Sequence, residues 1–237
     1  PYAATNPDLR FFDFNDDGLL DVIYGGSSPY QVWINNGVNG YNAPFNVSHC
    51  PNKAISSGNS IQLVDMNNDG SVDILDTAPP YTIYFNNGNG DFGAPIVAVN
   101  GSNVGTSNPD MQLVDVNGDG WLDLVYGQTS PYQVLLNNGV NGFTPAKTIT
   151  NSPSIALTNQ NLVQFVDMNN DGLPDILQNT GGTNPTYTIY FNNGNADFDP
   201  PVTAINPPMR GTDNPNMKLV DVNGDGMLDA IYGTDGD

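Results

Sequence analysis

The pattern Asp-x-Asn-x-Asp-Gly-x-x-Asp occurs five times in this chain, beginning at Asp13, Asp65, Asp115, Asp167 and Asp221. Successive copies start 52, 50, 52 and 54 residues apart, so nearly the whole chain is one repeated unit. A repeat of that length restricts the fold to an array of supersecondary units, each burying its apolar face against a neighbour.

The pattern has a chemical meaning. Side chains at positions 1, 3 and 5 of a tight loop converge on one point, and the glycine at position 6 permits the positive φ that turns the chain. Carboxylates, amide carbonyls and backbone carbonyls are the ligands of calcium, which takes about six to eight hard oxygens. The backbone carbonyl of position 7 and the carboxylate of position 9 complete the set. The expected ligands are Asp13, Asn15, Asp17, Leu19 and Asp21 in the first copy, and Asp65, Asn67, Asp69, Ser71 and Asp73 in the second. They are Asp115, Asn117, Asp119, Trp121 and Asp123 in the third, and Asp167, Asn169, Asp171, Leu173 and Asp175 in the fourth. In the fifth they are Asp221, Asn223, Asp225, Met227 and Asp229. Position 7 varies because it offers only its carbonyl. A plain turn needs one or two Asp-Gly or Asn-Gly residues, whereas three unneutralised carboxylates in one loop repel each other. One Ca²⁺ per repeat, about five in all, is therefore expected.

The helix-flanked calcium loop uses about twelve positions and a closing Glu, and this chain contains no Glu. The flanks read as strands. Gln-Leu-Val or a close variant precedes each loop, and Val-Ile-Tyr, Ile-Leu or Leu-Val-Tyr follows it. Each unit reads as four strands. In the second unit the first runs from Ile61 to Met66 and the next from Val72 to Leu75. Third strands are Tyr30–Ile34, Tyr81–Phe85, Tyr132–Leu136 and Tyr187–Phe191, each followed by the hairpin signal Asn-Asn-Gly. A fourth strand follows Tyr41, Phe92, Phe143 and Phe198. Four short strands per unit, repeated, imply an all-β fold: a β-propeller of four-stranded antiparallel blades, with the calcium loop between the first two strands. The units are about 5–56, 57–106, 107–158, 159–210 and 211–237, forming one domain of four complete blades and half of a fifth. Units one and three share Ser-Pro-Tyr-Gln-Val and Asn-Asn-Gly-Val-Asn-Gly, while two and four share Tyr-Thr-Ile-Tyr-Phe-Asn-Asn-Gly-Asn, so the higher period is a blade pair.

The run Leu-Val-Asp-Val-Asn-Gly-Asp-Gly-Trp-Leu-Asp-Leu-Val-Tyr-Gly, with Tyr-Gln-Val-Leu-Leu-Asn-Asn-Gly-Val-Asn-Gly-Phe after it, resembles the FG-GAP/VCBS-type repeat of integrin α propellers and many secreted bacterial proteins. The resemblance covers essentially the whole chain and implies a propeller with Ca²⁺ at the ligands named above. Only Phe92-Gly93-Ala94-Pro95 keeps the family's Phe-Gly/Gly-Ala-Pro signature, and Phe198-Asp199-Pro200-Pro201 departs from it, so integrin-like partner recognition is not implied.

Composition narrows the function. All 25 acidic residues are Asp, and with five Lys or Arg the net charge is −20. Five bound Ca²⁺ would bring it to about −10. Arg10, Lys53, Lys147, Arg210 and Lys218 are too few and scattered for a phosphate-binding face, which excludes nucleic acid. No apolar run is long enough to span a membrane. The start at Pro1 fits a processed or excised piece. With one His and no Glu, and with no nucleophile elbow or zinc motif, the chain is not expected to be an enzyme. His49 and the single Cys50 adjoin, but neighbours on a strand face opposite ways, so they read as a surface histidine and a structural thiol.

The expected role is a calcium-stabilised, extracellular or cell-surface structural, adhesive or binding module. The unfinished fifth blade leaves an unpaired edge, which suggests head-to-tail assembly of copies into fibres. Two alternatives are a carbohydrate-binding propeller and a fragment of a larger secreted enzyme or toxin. In the first, Tyr30, Tyr81, Tyr132 and Tyr187, or Trp33 and Trp121, would stack on glycans. Sequons at Asn46 and Asn100 are compatible with glycosylation.

Overall fold

The computed structural model describes residues 5–56, 60–101, 110–157 and 162–233. Among them there is no helix. Four antiparallel sheets each take four strands in chain order. The first holds β1 (Leu9–Phe12), β2 (Asp21–Tyr24), β3 (Gln31–Trp33) and β4 (Phe45–Asn46). The second holds β5 (Ile61–Val64), β6 (Asp73–Asp76), β7 (Thr82–Tyr84) and β8 (Ile96–Val97). The third is β9 (Met111–Val114), β10 (Asp123–Tyr126), β11 (Gln133–Leu135) and β12 (Lys147–Thr148). The fourth is β13 (Val163–Val166), β14 (Asp175–Asn179), β15 (Tyr187–Tyr190) and β16 (Val202–Thr203). A last, two-stranded sheet joins β17 (Met217–Val220) to β18 (Asp229–Tyr232).

The acidic loop joins the first and second strand of every sheet in one register. Position 9 always opens the second strand opposite the last residue of the first: Phe12↔Asp21, Val64↔Asp73, Val114↔Asp123, Val166↔Asp175 and Val220↔Asp229.

Strand boundaries differ from the sequence reading: the second strand of the second sheet is Asp73–Asp76 rather than Val72–Leu75, and the third strands shorten to Gln31–Trp33, Thr82–Tyr84, Gln133–Leu135 and Tyr187–Tyr190. The first strand of the second sheet stops at Val64, not Met66, because the Met66 N–H turns to the Asp73 carboxylate (2.8 Å). Fourth strands are only two residues long and start beyond Pro44, Pro95, Pro145 and Pro201, since proline has no N–H for the ladder.

The chain groups into two compact units, Pro1–Pro109 with Asn137–Thr144, and Asp110–Leu136 with Pro145–Asp237. The core of the first packs Phe14, Ile23, Tyr30, Val32, Ile74 and Phe92, with Phe14 and Phe92 meeting edge-on at 5.1 Å. The core of the second gathers Val116, Val125, Tyr132, Val134, Ile176 and Phe198. Burying such side chains contributes about 1.5–3 kcal/mol each.

The recurrent tyrosines are interior residues: Tyr30 and Tyr132 lie in these two cores, Tyr187 packs with Leu177 and Met217, and Tyr81 is buried as well. Tyr30, Tyr81, Tyr132 and Tyr187 are 0 to 3% exposed, so they form no sugar-stacking face. Three hydroxyls donate to backbone carbonyls: Tyr30 to Lys53 (2.8 Å), Tyr132 to Ile155 (2.6 Å) and Tyr187 to Arg210 (2.6 Å). Burial, with Asp213 nearby, pushes the Tyr187 hydroxyl up to about 12.

Candidate metal-binding loops

The five loops share one hydrogen-bond plan that follows from the nine-residue pattern. Position 1 caps the turn: the position 6 N–H donates to its carboxylate, Gly18 to Asp13 (2.6 Å), Gly70 to Asp65 (2.9 Å) and Gly120 to Asp115 (2.8 Å). Gly172 donates likewise to Asp167 (2.9 Å) and Gly226 to Asp221 (2.8 Å). At position 3 the amide Nδ2 donates to the position 5 carboxylate, from Asn15 to Asp17 (3.0 Å), Asn67 to Asp69, Asn117 to Asp119, Asn169 to Asp171 and Asn223 to Asp225. Position 5 accepts the N–H of position 7: Leu19, Ser71, Trp121, Leu173 and Met227, all at 2.8 to 2.9 Å. The position 6 glycines have φ between 85° and 94°. Position 4 is also left-handed, at Asp16 (59°), Asn68 (56°), Gly118 (75°), Asn170 (60°) and Gly224 (78°), which restricts it to Asp, Asn or Gly.

Positions 1, 3 and 5 thus lie together on the loop. Position 9 does something else. Asp21, Asp73, Asp123 and Asp175 are 0 to 1% exposed. One oxygen accepts the position 2 N–H, from Phe14 (3.0 Å), Met66 (2.8 Å), Val116 (3.1 Å) and Met168 (2.9 Å). The other accepts the N–H of the asparagine two residues beyond the third strand, Asn35 (2.7 Å) on Asp21, Asn86 (2.7 Å) on Asp73 and Asn192 (2.8 Å) on Asp175. Burial pushes the Asp73 carboxyl up to about 7, against the Met66 and Asn86 N–H groups and with the charges of Asp69 and Asp65 adding to the rise. Burial raises Asp175 in the same way, whereas at Asp221 the N–H groups of Gly226 and Gly224 hold the carboxyl low. Among the described residues no group of three or more His, Cys, Asp or Glu side chains is gathered into a metal-holding cluster. The position 9 carboxylates accept backbone N–H groups, as those of positions 1 and 5 do. One further oxygen stands out: Asn15 Oδ1 is buried and has no hydrogen-bond partner among the described residues.

Sequence reasoning missed the residues that link successive repeats. The asparagine beginning each Asn-Asn-Gly reads as a turn signal, but its Nδ2 donates to the position 2 carbonyl of the loop before it. Asn86 reaches Phe14 O (3.1 Å), Asn137 reaches Met66 O (2.8 Å) and Asn192 reaches Val116 O (2.8 Å). Asp91 accepts from the N–H and hydroxyl of Ser48 (2.7 and 2.5 Å), and Asp197 from those of Thr150 (2.7 and 2.6 Å). Asp16 accepts from the Ser71 hydroxyl (2.7 Å). The recurrence of these residue types at one place in each unit was the available signal. Cys50 Sγ accepts the Tyr30 N–H (3.3 Å), in keeping with a structural thiol.

Comparison with known proteins adds the family. A model of the FG-GAP-like repeat matches residues 13–75 and 115–178. Among solved structures, an Agrocybe aegerita lectin that specifically recognises non-reducing terminal N-acetylglucosamine aligns with a TM-score of 0.63 at 23% identity, over 81% of this chain and 50% of the lectin chain. A chain of the Photorhabdus luminescens Tc holotoxin pore aligns with a TM-score of 0.50 at 18% identity, over 94% of this chain and 13% of its own. The chain therefore spans half the length of the lectin and a smaller part of the toxin chain. No curated protein matches. At these identities the two structures share the fold with this chain and establish nothing about what it binds. With its first four loops spanned by the matched segments, the chain belongs to the FG-GAP-like repeat family.

Proposed function

We propose that this chain is a calcium-stabilised binding module of the β-propeller type, working outside the cell or at its surface and carrying no catalytic site. The observation that supports it most is Asn15 Oδ1, a buried oxygen of the first loop with no hydrogen-bond partner among the described residues. Leaving such a group unsatisfied costs about 1–3 kcal/mol, and a hard cation is the partner that the neighbouring side chains suit. The donor set is all oxygen, with neither sulfur nor imidazole, which fits calcium and not zinc. Each carboxylate oxygen at positions 1 and 5 accepts N–H groups and retains lone-pair capacity. Bound Ca²⁺ would neutralise the loop and pin the turn between the first two strands. Five equivalent loops suit scaffolding better than a single reactive centre. Weak calcium modules work outside cells, where the ion is plentiful.

Thermal unfolding in calcium and in excess chelator tests the reading. At a hundred times its dissociation constant an ion adds about 2.7 kcal/mol per independent site, so a melting temperature several degrees higher in calcium is expected. Identical melting in both would overturn it.

Glycan recognition is a second reading, supported by the fold shared with the Agrocybe aegerita lectin. The buried tyrosines cannot stack on sugars, which leaves the half-buried Trp33 and Trp121. Titration of glycans ending in N-acetylglucosamine should then show saturable binding, weakened by Trp33→Ala or Trp121→Ala. No binding to any of them would remove this reading.

A further inference from the structure

The asparagine two residues beyond the third strand belongs to two acidic loops at once. In the second repeat the Asn86 N–H donates to Asp73 (2.7 Å), position 9 of its own loop, while its Nδ2 donates to Phe14 O (3.1 Å), position 2 of the loop before. In the fourth repeat the Asn192 N–H donates to Asp175 (2.8 Å), and its Nδ2 donates to Val116 O (2.8 Å) of the third loop. The string runs on through position 9. Its other oxygen accepts the position 2 N–H of the same loop, from Met66 (2.8 Å) on Asp73 and from Met168 (2.9 Å) on Asp175. Met66 O in turn accepts Asn137 Nδ2 (2.8 Å) from the repeat after it.

The string is dry. Phe14, Met66 and Val116 are 0 to 1% exposed, Asp73 and Asp175 are 0%, and Asn86 and Asn192 are 3 and 5%. Water is not at hand to replace a lost bond, so a group that moves must carry its partner with it or leave a buried polar atom unpaired. A second contact joins the same neighbouring loops, between position 4 of one and position 7 or 6 of the next. The Ser71 hydroxyl donates to Asp16 (2.7 Å), a Cβ on Gly118 would lie 2.6 Å from Leu173 Cδ2, and a Cβ on Gly226 would fall on the Asn170 amide.

Both ends of the string meet expected ligands. Position 9 is one itself. Position 2 stands between two others, as Val116 stands between Asp115 and Asn117, and Phe14 between Asp13 and Asn15. Asn15 carries the buried Oδ1 that has no partner among the described residues. A loop closed around an ion fixes its position 9 carboxylate, and the asparagine hands that fixed point to the loop before. The ion of that earlier loop then has less ordering left to impose, which is positive coupling without a change of fold.

We propose that Asn86 and Asn192 are positioning residues shared by neighbouring ion sites, and that through them ions bind cooperatively, in the first loop with the second and in the third with the fourth. The inference rests on the calcium reading of the loops. It concerns affinity and not the number of ions, because each loop keeps its own ligands.

The third loop carries its own reporter, Trp121 at position 7. Terbium, an oxygen-seeking ion close to calcium in size, luminesces when an adjacent indole is excited. Titration of the Trp33→Phe chain, in which Trp121 is the only tryptophan, therefore reads the third loop, and competition with calcium shows that both ions take the same site. Asp167→Asn removes a ligand charge from the fourth loop and keeps an acceptor for the Gly172 N–H. It should weaken terbium binding at the third loop about fivefold. Asn192→Ala should itself lower that affinity, and adding Asp167→Asn to it should cost less than about twofold more. An asparagine with a merely structural role would lower the affinity too, but would leave the Asp167→Asn effect whole. Asn192→Ser is the milder variant: its hydroxyl can accept the Gly194 N–H as Asn192 Oδ1 does, but is too short to reach Val116 O. Melting in chelator reports that each variant is folded. An undiminished Asp167→Asn effect in both Asn192 backgrounds, or no such effect in the parent, would overturn the coupling and leave the calcium sites standing. A parent that takes up neither terbium nor calcium would overturn the calcium reading, and the coupling with it.

Discussion

The second and fifth loops carry the same pattern and differ in what surrounds them. In both, position 1 accepts the glycine N–H at 2.8 to 2.9 Å, and position 5 accepts the position 7 N–H at 2.8 to 2.9 Å. Position 9 separates them. Asp73 is fully buried between the Met66 and Asn86 N–H groups, while Asp229 is half-buried and among the described residues accepts only the Val222 N–H. Nine residues therefore suffice to shape the loop, but the third strand and its hairpin are needed to seat position 9.

The largest way to break this comparison is Asp73→Ala. It leaves two N–H groups without partners at a site that is 0% exposed, and about 2–5 kcal/mol should be lost. Asp229→Ala should cost well under half as much in the same denaturant titration. Equal losses would mean that the seating of position 9 is not what distinguishes the loops.

A smaller effect is expected at the asparagine. Asn86 Nδ2 donates to both Phe14 O and Val72 O, whereas among the described residues Asn35 Nδ2 donates only to Leu20 O at 3.2 Å. Asn86→Ala should cost about 1–3 kcal/mol and Asn35→Ala about 1 kcal/mol or less. Hydrogen exchange at the Met66 and Phe14 amides would show whether the loosening stays near the loops.

The smallest effect concerns the hairpin aspartates Asp91 and Asp197, which accept from Ser48 and Thr150. Burial acts to raise Asp91, but the hydrogen bonds from Ser48 and Phe92, with His49 nearby, outweigh it and hold the carboxyl below its ordinary value. Asp197 is held low by Thr150, Phe198 and Lys147 against the same upward push of burial. A lowered folded value means that the stabilisation is full above the unfolded pKa of about 3.9 and is lost as pH falls through the folded value. The stability gap between the parent and Asp91→Asn should therefore close in acid, by a small amount because Asp91 is partly solvated. A gap that widens in acid would contradict the sign.

Much of this was legible in the sequence because it is local. Glycine at position 6, carboxylates at 1 and 5, and strands on both flanks follow from spacing and backbone chemistry alone. The pairing of Asn137 with Met66, or of Val99 with Gly142, depends on which repeats meet, and no local rule reports that. Tyr30 and its counterparts could be read as either surface aromatics or core; their 0 to 3% exposure decides for core. Position 9 reads as a fifth ligand in the pattern; that two backbone N–H groups also hold it, at Asp21, Asp73 and Asp175, depends on the third strand and is not legible in the nine residues.

The most direct test of the calcium reading is ion stoichiometry, measured by native mass spectrometry and calorimetric titration of the parent chain and Asp115→Ala. The account predicts about five Ca²⁺ for the parent and one fewer for the variant, with the remaining sites intact. A chain that takes up no calcium, or a variant with an unchanged count, would contradict it.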